Sequence, residues 1–166
     1  MASPVEHAIR VARPDEYDAL RAIEDSGDAM FLDVGIGPFH SPEEDDHLEV
    51  AALVLAAGDP PVGFACVDLV DGAAHLWQLS VHPSAGRRGL GTALVAAVCE
   101  WAAAQGLGAV TLTTFRDVPW NAPFYRRIGF RELDDLTPGL SAIRAHEAAI
   151  GDDDFGPRVA MRKELR

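Results

Sequence analysis

Gly86-Arg87-Arg88-Gly89-Leu90-Gly91-Thr92 is the stretch on which the reading of this chain turns. It sits between an apolar run, Ala74 to Val81, and a segment in which Leu90, Leu94, Ala97, Val98 and Trp101 recur at helical spacing. That spacing predicts a helix from Gly89 to Gln105, stopped by Gly106. A glycine-rich turn entering a helix suits an anion. Small residues let the backbone approach closely, the first helical amides have no partner within the helix, and the dipole adds favourable potential. Arg87 and Arg88 supply full positive charge beside it. Two other phosphate motifs fit worse. The Gly-Lys-Ser/Thr ending of a P-loop is absent, and the glycine spacing reverses that of a dinucleotide fingerprint, with no acid around Ala109 to Thr113.

Working outward, the order of elements predicts an α/β fold with a mixed, mostly antiparallel central sheet and flanking helices. His7 to Ala12 reads as a strand, and Pro14-Asp15 opens a helix to about Asp28, with Tyr17, Leu20 and Ile23 as a narrow apolar face. Phe31 to Asp46, rich in Gly and Pro, reads as a loop. Val50 to Ala57, Val62 to Val70 and Ala74 to Val81 read as strands, the last two joined by an Asp71-Gly72 hairpin turn. Beyond the central helix, Ala109 to Phe115 is a strand rich in β-branched residues. Asn121 to Ile128 is a short helix, Gly129 to Leu133 a strand, Ser141 to Ala149 a helix and Arg158 to Lys163 a final strand. With no repeat or linker, residues 1–166 read as one domain.

Composition narrows the function. The chain is 48% hydrophobic and carries a formal net charge of −12, which speaks against nucleic acid as a partner, since phosphate binding needs basic surface. No apolar run is long enough to span a bilayer and the N-terminus lacks a secretion pattern, so the expected location is the cytoplasm. The two cysteines, Cys66 and Cys99, lie in apolar runs and read as buried free thiols. Acid gathers at Glu43-Glu44-Asp45-Asp46 and at Asp152-Asp153-Asp154. Both runs read as solvated loops; the first, near the segment that would receive a substrate, is also placed to attract cationic amines. His40 and His47 flank that run without a recognised ligand spacing, so no metal is expected.

Val81-His82-Pro83 followed by Arg87-Arg88-Gly89-Leu90-Gly91 is similar to the acetyl-CoA motif of the GCN5-related N-acetyltransferase (GNAT) superfamily. Phe124-Tyr125-Arg126-Arg127-Ile128-Gly129-Phe130 resembles its second motif. The first motif position is Gly86 where the family has Gln or Arg. The family's Asn seven residues before the Tyr is replaced by Val118, and Asn121 stands four before it. The resemblance implies a GNAT-like acyl-CoA N-acyltransferase fold and transfer of an acetyl group from acetyl-CoA, as cosubstrate, to a primary amine. The acceptor is either a small cationic molecule or a protein amine. Carried over residue by residue, it implies that Leu79, Ser80 and Val81 pair with the pantetheine arm and that one of their amides polarises the thioester carbonyl. It further implies that Arg87, Arg88, Gly89, Leu90, Gly91 and Thr92 hold the pyrophosphate, with Asn121 as a further cofactor contact. Tyr125 would protonate the departing thiolate. For the base, His75 stands on the strand where some members place a Glu, while a water chain would serve equally. Gln78 can orient a substrate but cannot act as a base. Strand alternation sets His75 and Trp77 on the face opposite Gln78 unless a bulge intervenes. Trp77 and Trp120 are candidates to line an acceptor pocket. Many members pair as dimers, and the C-terminal strand could join two subunits. Two other functions share the same cofactor turn: a CoA-binding regulatory module without turnover, and an acyltransferase for longer acyl chains.

Overall fold

The computed structural model describes residues 8–37, 47–86 and 88–165. In chain order these form β1 (Ile9–Val11), a 3-10 turn (Pro14–Glu16), α1 (Tyr17–Leu32), α2 (His47–Val50), β2 (Leu53–Ala57), β3 (Gly63–Val70) and β4 (Ala73–Val81). A second 3-10 turn (Pro83–Ala85) leads to α3 (Leu90–Ala104), β5 (Ala109–Phe115), α4 (Ala122–Arg127), β6 (Arg131–Glu132), α5 (Pro138–Ala149), a third 3-10 turn (Asp152–Phe155) and β7 (Arg158–Glu164). The seven strands form a mixed, mostly antiparallel sheet in the order β1-β2-β3-β4-β5-β7-β6, with β4 and β5 parallel. Contacts within the chain define two compact units. One holds the described residues up to Asp68 together with those of Leu76–Val98; the other holds Leu69–His75 and the described residues from Cys99 onward.

In the first unit, α1 and α2 cover one face of β2 and β3. Leu20 and Ile23 of α1 and Leu48 of α2 bury with Val54, Ala56, Phe64 and Cys66. Removing a side chain such as Leu20 from water contributes about 2 kcal/mol. This core explains why the strand expected from Val50 begins instead at Leu53: Leu48 enters the core from a helical turn, and that contact outweighs the β propensity of the run. Glu16 is 6% exposed and is held by Arg10, with both nitrogen–oxygen distances at 2.7 Å, and by the Arg13 amide at 2.9 Å. The Arg10 hydrogen bonds outweigh burial and hold the Glu16 carboxyl down to about 2.

The Asp71-Gly72 turn forms as expected, with φ of 52° and 78° at the two residues. In the second unit, β5 pairs with β7 along its length, from Ala109↔Glu164 to Phe115↔Arg158. Asp71 accepts from the Gly139 amide at 2.7 Å, which ties the hairpin to the start of α5. This helix begins three residues before the Ser141 expected from periodicity. Thr137 caps it and Pro138 opens it, a start signal that outranks the apolar spacing. The acidic run at Asp152, read as a solvated loop, is instead a 3-10 turn in which Asp153 binds Arg144 through two contacts of 3.0 and 3.1 Å.

Candidate functional site

The glycine-rich turn lies in the first unit and has the geometry its residues demand. Gly89 has φ 77°, and a Cβ built there would meet nothing within 4 Å, so conformation rather than space requires glycine. Its carbonyl accepts the first helical hydrogen bond, from Ala93 at 3.0 Å. The amides of Leu90, Gly91 and Thr92 therefore precede any helical partner. The first turn of α3 carries no acidic residue that would compete for an anion. Leu90, Leu94 and Val98 are buried and fix the helix, while Arg88, Gly89 and Thr92 are exposed. Arg87 lies outside the described residues, as do His40 and the run Glu43 to Asp46.

The C-terminal half of β4 belongs to the same unit. Ser80 is buried, and Leu79 and Val81 are half-buried. A Cβ on Gly63 would stand 3.1 Å from the Ser80 carbonyl and 3.4 Å from both Val81 and Leu94, so this glycine admits the strand end and α3 to close approach. Side-chain phase changes along this stretch. Trp77 packs on His47 of α2 with ring centroids 4.3 Å apart, on the face that also takes Phe64 and Cys66. Val81 meets the position of Gly63, which points to the other face, towards Leu94. Simple alternation would put Trp77 and Val81 on one side, so the strand shifts by one residue between them, as a bulge does. Ser80 is thereby turned to α1, where a Cβ on Gly27 would stand 3.9 Å from its Oγ. Gln78 donates to that same oxygen at 2.8 Å. The shift supplies the condition under which Trp77 and the Gln78–Ser80 pair share a face.

The second unit holds His75, Asn121 and Tyr125. His75 is 1% exposed, and its Nδ1 lies 2.9 Å from the Thr111 hydroxyl. Burial lowers its pKa to about 4 against the opposing pull of Glu147, so the ring is neutral at physiological pH and weak as a base. Asn121 begins α4 through its carbonyl, which accepts from the Tyr125 amide at 3.0 Å, while its side chain donates to the Trp120 carbonyl at 3.1 Å. Tyr125 is buried edge-on against Phe124 and Phe130, at centroid distances of 5.1 and 5.5 Å. Burial pushes its phenol above the ordinary value and keeps the proton on oxygen.

Residue patterns alone passed over Glu24 and Asp28 on α1. Burial, with the charge of Asp28 and then Asp25 adding to it, raises Glu24 to about 7. Burial and Asp25 raise Asp28 to about 6. The available signal was the i, i+4 spacing of two acids around Gly27 in a helix with a narrow apolar face. Among the described residues, no group of three or more His, Cys, Asp or Glu side chains is arranged to hold a metal, and no helix is long and apolar enough to cross a membrane.

Comparison with known proteins bears on this arrangement. A stretch of 87 residues, 49% of the chain, is 40% identical to the mycothiol acetyltransferase of Clavibacter michiganensis, and spans 28% of that protein's length. The fold matches the ribosomal-protein-S18-alanine N-acetyltransferase of Escherichia coli with a TM-score of 0.68 at 16% identity, covering 96% of this chain and 94% of that one. It also matches the PaiA N-acetyltransferase of Thermoplasma acidophilum, solved with coenzyme A, with a TM-score of 0.66 at 15% identity, covering 96% and 99%. Residues 9–130, which contain the glycine turn, the shifted strand and Tyr125, match the acetyltransferase (GNAT) family, and the chain belongs to that family.

Proposed function

We propose that residues 1–166 form a single N-acetyltransferase domain that moves an acetyl group from acetyl-CoA to a primary amine by direct attack. The observation that carries this reading is the exposed start of α3, where Gly89 holds φ 77° and the first helical turn carries no acidic residue. Residues of this kind fit a pyrophosphate. The amides of Leu90, Gly91 and Thr92 would donate to it, and Arg88, with Arg87, would add charge. The backbone of Leu79, Ser80 and Val81 would pair with the pantetheine arm, and one of those amides would stabilise the oxyanion at the thioester carbonyl.

The reaction needs an unprotonated amine and a proton for the leaving thiolate. Tyr125 is our choice for the donor, because it occupies the family's motif position and its phenol holds its proton. Burial disfavours any anion, a thiolate included, so the raised phenol does not by itself prevent the transfer. Asn121 is retained as a cofactor contact. His75, buried on Thr111 and neutral, is better suited to holding β4 and β5 than to taking a proton from an alkylammonium.

Isothermal titration with acetyl-CoA tests the reading. The native chain should bind, and Gly89→Val should weaken binding at least ~10-fold, because a β-branched residue is strained at positive φ. Arg88→Ala, which does not strain the backbone, should weaken it less. Absence of binding by the native chain would remove the proposal. Binding without any turnover of amines would leave a CoA-binding module.

A further inference from the structure

Glu24 and Asp28 stand one turn apart on α1, on the face whose intervening Gly27 lies against Ser80. Like charges at this spacing destabilise a helix, and half-burial adds to the cost. Neither carboxylate makes a hydrogen bond or salt bridge to a described residue. The nearest cation on the helix, Arg21, is already bound to Asp18 at 3.1 Å and to Glu49 of α2. Glu24 also lies close enough to Cys66 of β3 that its charge, after burial and Asp68, helps push that thiol up to about 12. The charge of Glu24 felt at Cys66, and the approach of Gly27 to Ser80, thus place this face of α1 over the sheet beside the end of β4. That end is the segment assigned above to the thioester.

We infer that Glu24 is the group that receives the acceptor's ammonium and takes its proton, with Asp28 as the second carboxylate of the pair. This rests on the acetyl-transfer reading. The acceptor class is a cationic alkylamine, whose ammonium supplies a counter-charge that the two carboxylates meet in no ion pair among the described residues. The charge balance is simple. R–NH3⁺ gives one proton to the Glu24 carboxylate, and the free amine forms the new C–N bond to the acetyl carbon. The C–S bond breaks, the sulfur keeps the electron pair, and the second nitrogen proton is matched by the proton gained at sulfur. Glu24 then returns its proton to solvent. Among the described residues, the groups whose charge bears on Glu24 are Arg21, Asp25 and Asp28 on its own helix, with Cys66 and its neighbour Asp68 on β3 beneath, and of these Arg21 is the cation. A carboxylate poised near 7 suits a base at neutral pH, and an arriving ammonium would draw it back towards ionisation.

The test uses the full chain, with spermidine as the probe amine. Glu24→Gln should lower kcat/KM for spermidine by ~100-fold or more and flatten the rise of activity around neutral pH, with the acetyl-CoA Kd unchanged. In the native chain, carboxyl-labelled glutamate followed by NMR should show one group titrating near neutrality, absent in Glu24→Gln and shifted downward by spermidine. If acetyl-CoA binds normally but Glu24→Gln keeps its rate and pH profile, or the titration ignores spermidine, the inference fails alone. If the native chain does not bind acetyl-CoA, the acetyl-transfer reading fails first and takes this inference with it.

Discussion

Glu24 on α1 and Glu147 on α5 are both carboxylates set on the buried side of a helix, and their surroundings could hardly differ more. Glu147, 12% exposed, accepts from Thr113 at 2.6 Å, from Arg144 at 2.8 Å and from Arg158 at 3.0 Å. Burial pulls it upward, yet Arg158, Thr113 and Arg144 together leave it below the usual carboxylate range. Arg158 in turn lies over the Phe115 ring at 4.5 Å, and Arg144 holds Asp153, so the cluster fastens α5 to β5 and β7. Glu24 has the burial without the partners, and its neighbours Asp28 and Asp25 repel it. A satisfied carboxylate repays its desolvation and works as a clamp. An unsatisfied one is a cost to folding that a cationic ligand can relieve.

Four experiments would break or sharpen that contrast. The largest effect is expected from Glu147→Ala, which strands Arg158, leaves Arg144 with Asp153 alone, and should lower stability by about 3 kcal/mol in denaturant unfolding. An unchanged midpoint would mean the cluster is not a clamp. Next is Glu24→Gln, whose ~100-fold loss in kcat/KM corresponds to about 2.7 kcal/mol of transition-state stabilisation. Equal unfolding midpoints for variant and native chain near pH 4.5, where the folded Glu24 carboxyl holds its proton, would show that this loss is chemical rather than structural.

The two residues should also give opposite slopes of stability against pH. Glu24 binds its proton more tightly when folded, so stability falls as pH rises from about 4.5, its unfolded value, to about 7. Glu147 binds its proton less tightly when folded, so its contribution is present above the unfolded value and is lost on acidification. At pH 8, Glu24→Gln should therefore be the more stable protein by about 1 kcal/mol, a gain that should vanish near pH 4.5. Thermal melts at the two pH values check this, and a variant that is less stable at pH 8 would refute it. The smallest effect belongs to Asp28→Asn. Removing one repelling charge should move the activity rise to lower pH by ~0.5 unit and change kcat/KM only a few-fold. No movement would mean the two carboxylates do not interact.

Much of the architecture is legible in the residues themselves. The Asp71-Gly72 turn, the start of α3 and the strand β3 depend on residues adjacent in the chain, so local preference suffices to read them. Val50 misled because its neighbour Leu48 is drawn into a core built with α1. Asp152 to Asp154 misled because the arginine that engages Asp153 comes from α5. The roles of individual site residues were harder to read. His75 looks like a candidate base in a strand, and only its burial on Thr111 gives it a pKa near 4. Alternation alone sets Gln78 opposite Trp77, and the shift in β4 brings them to one face.

The sequence by itself determined where the glycine turn lies, that it opens a helix, and the family to which Tyr125 and Gly89 point. Those properties are set by backbone conformation and by near neighbours. The tertiary structure decided which carboxylates are paired and which are left without a cation, because burial and charge at a residue are fixed by segments far away in the chain. Glu24 and Glu147 are the same residue type on similar helices, and only the sheet beneath each one tells them apart.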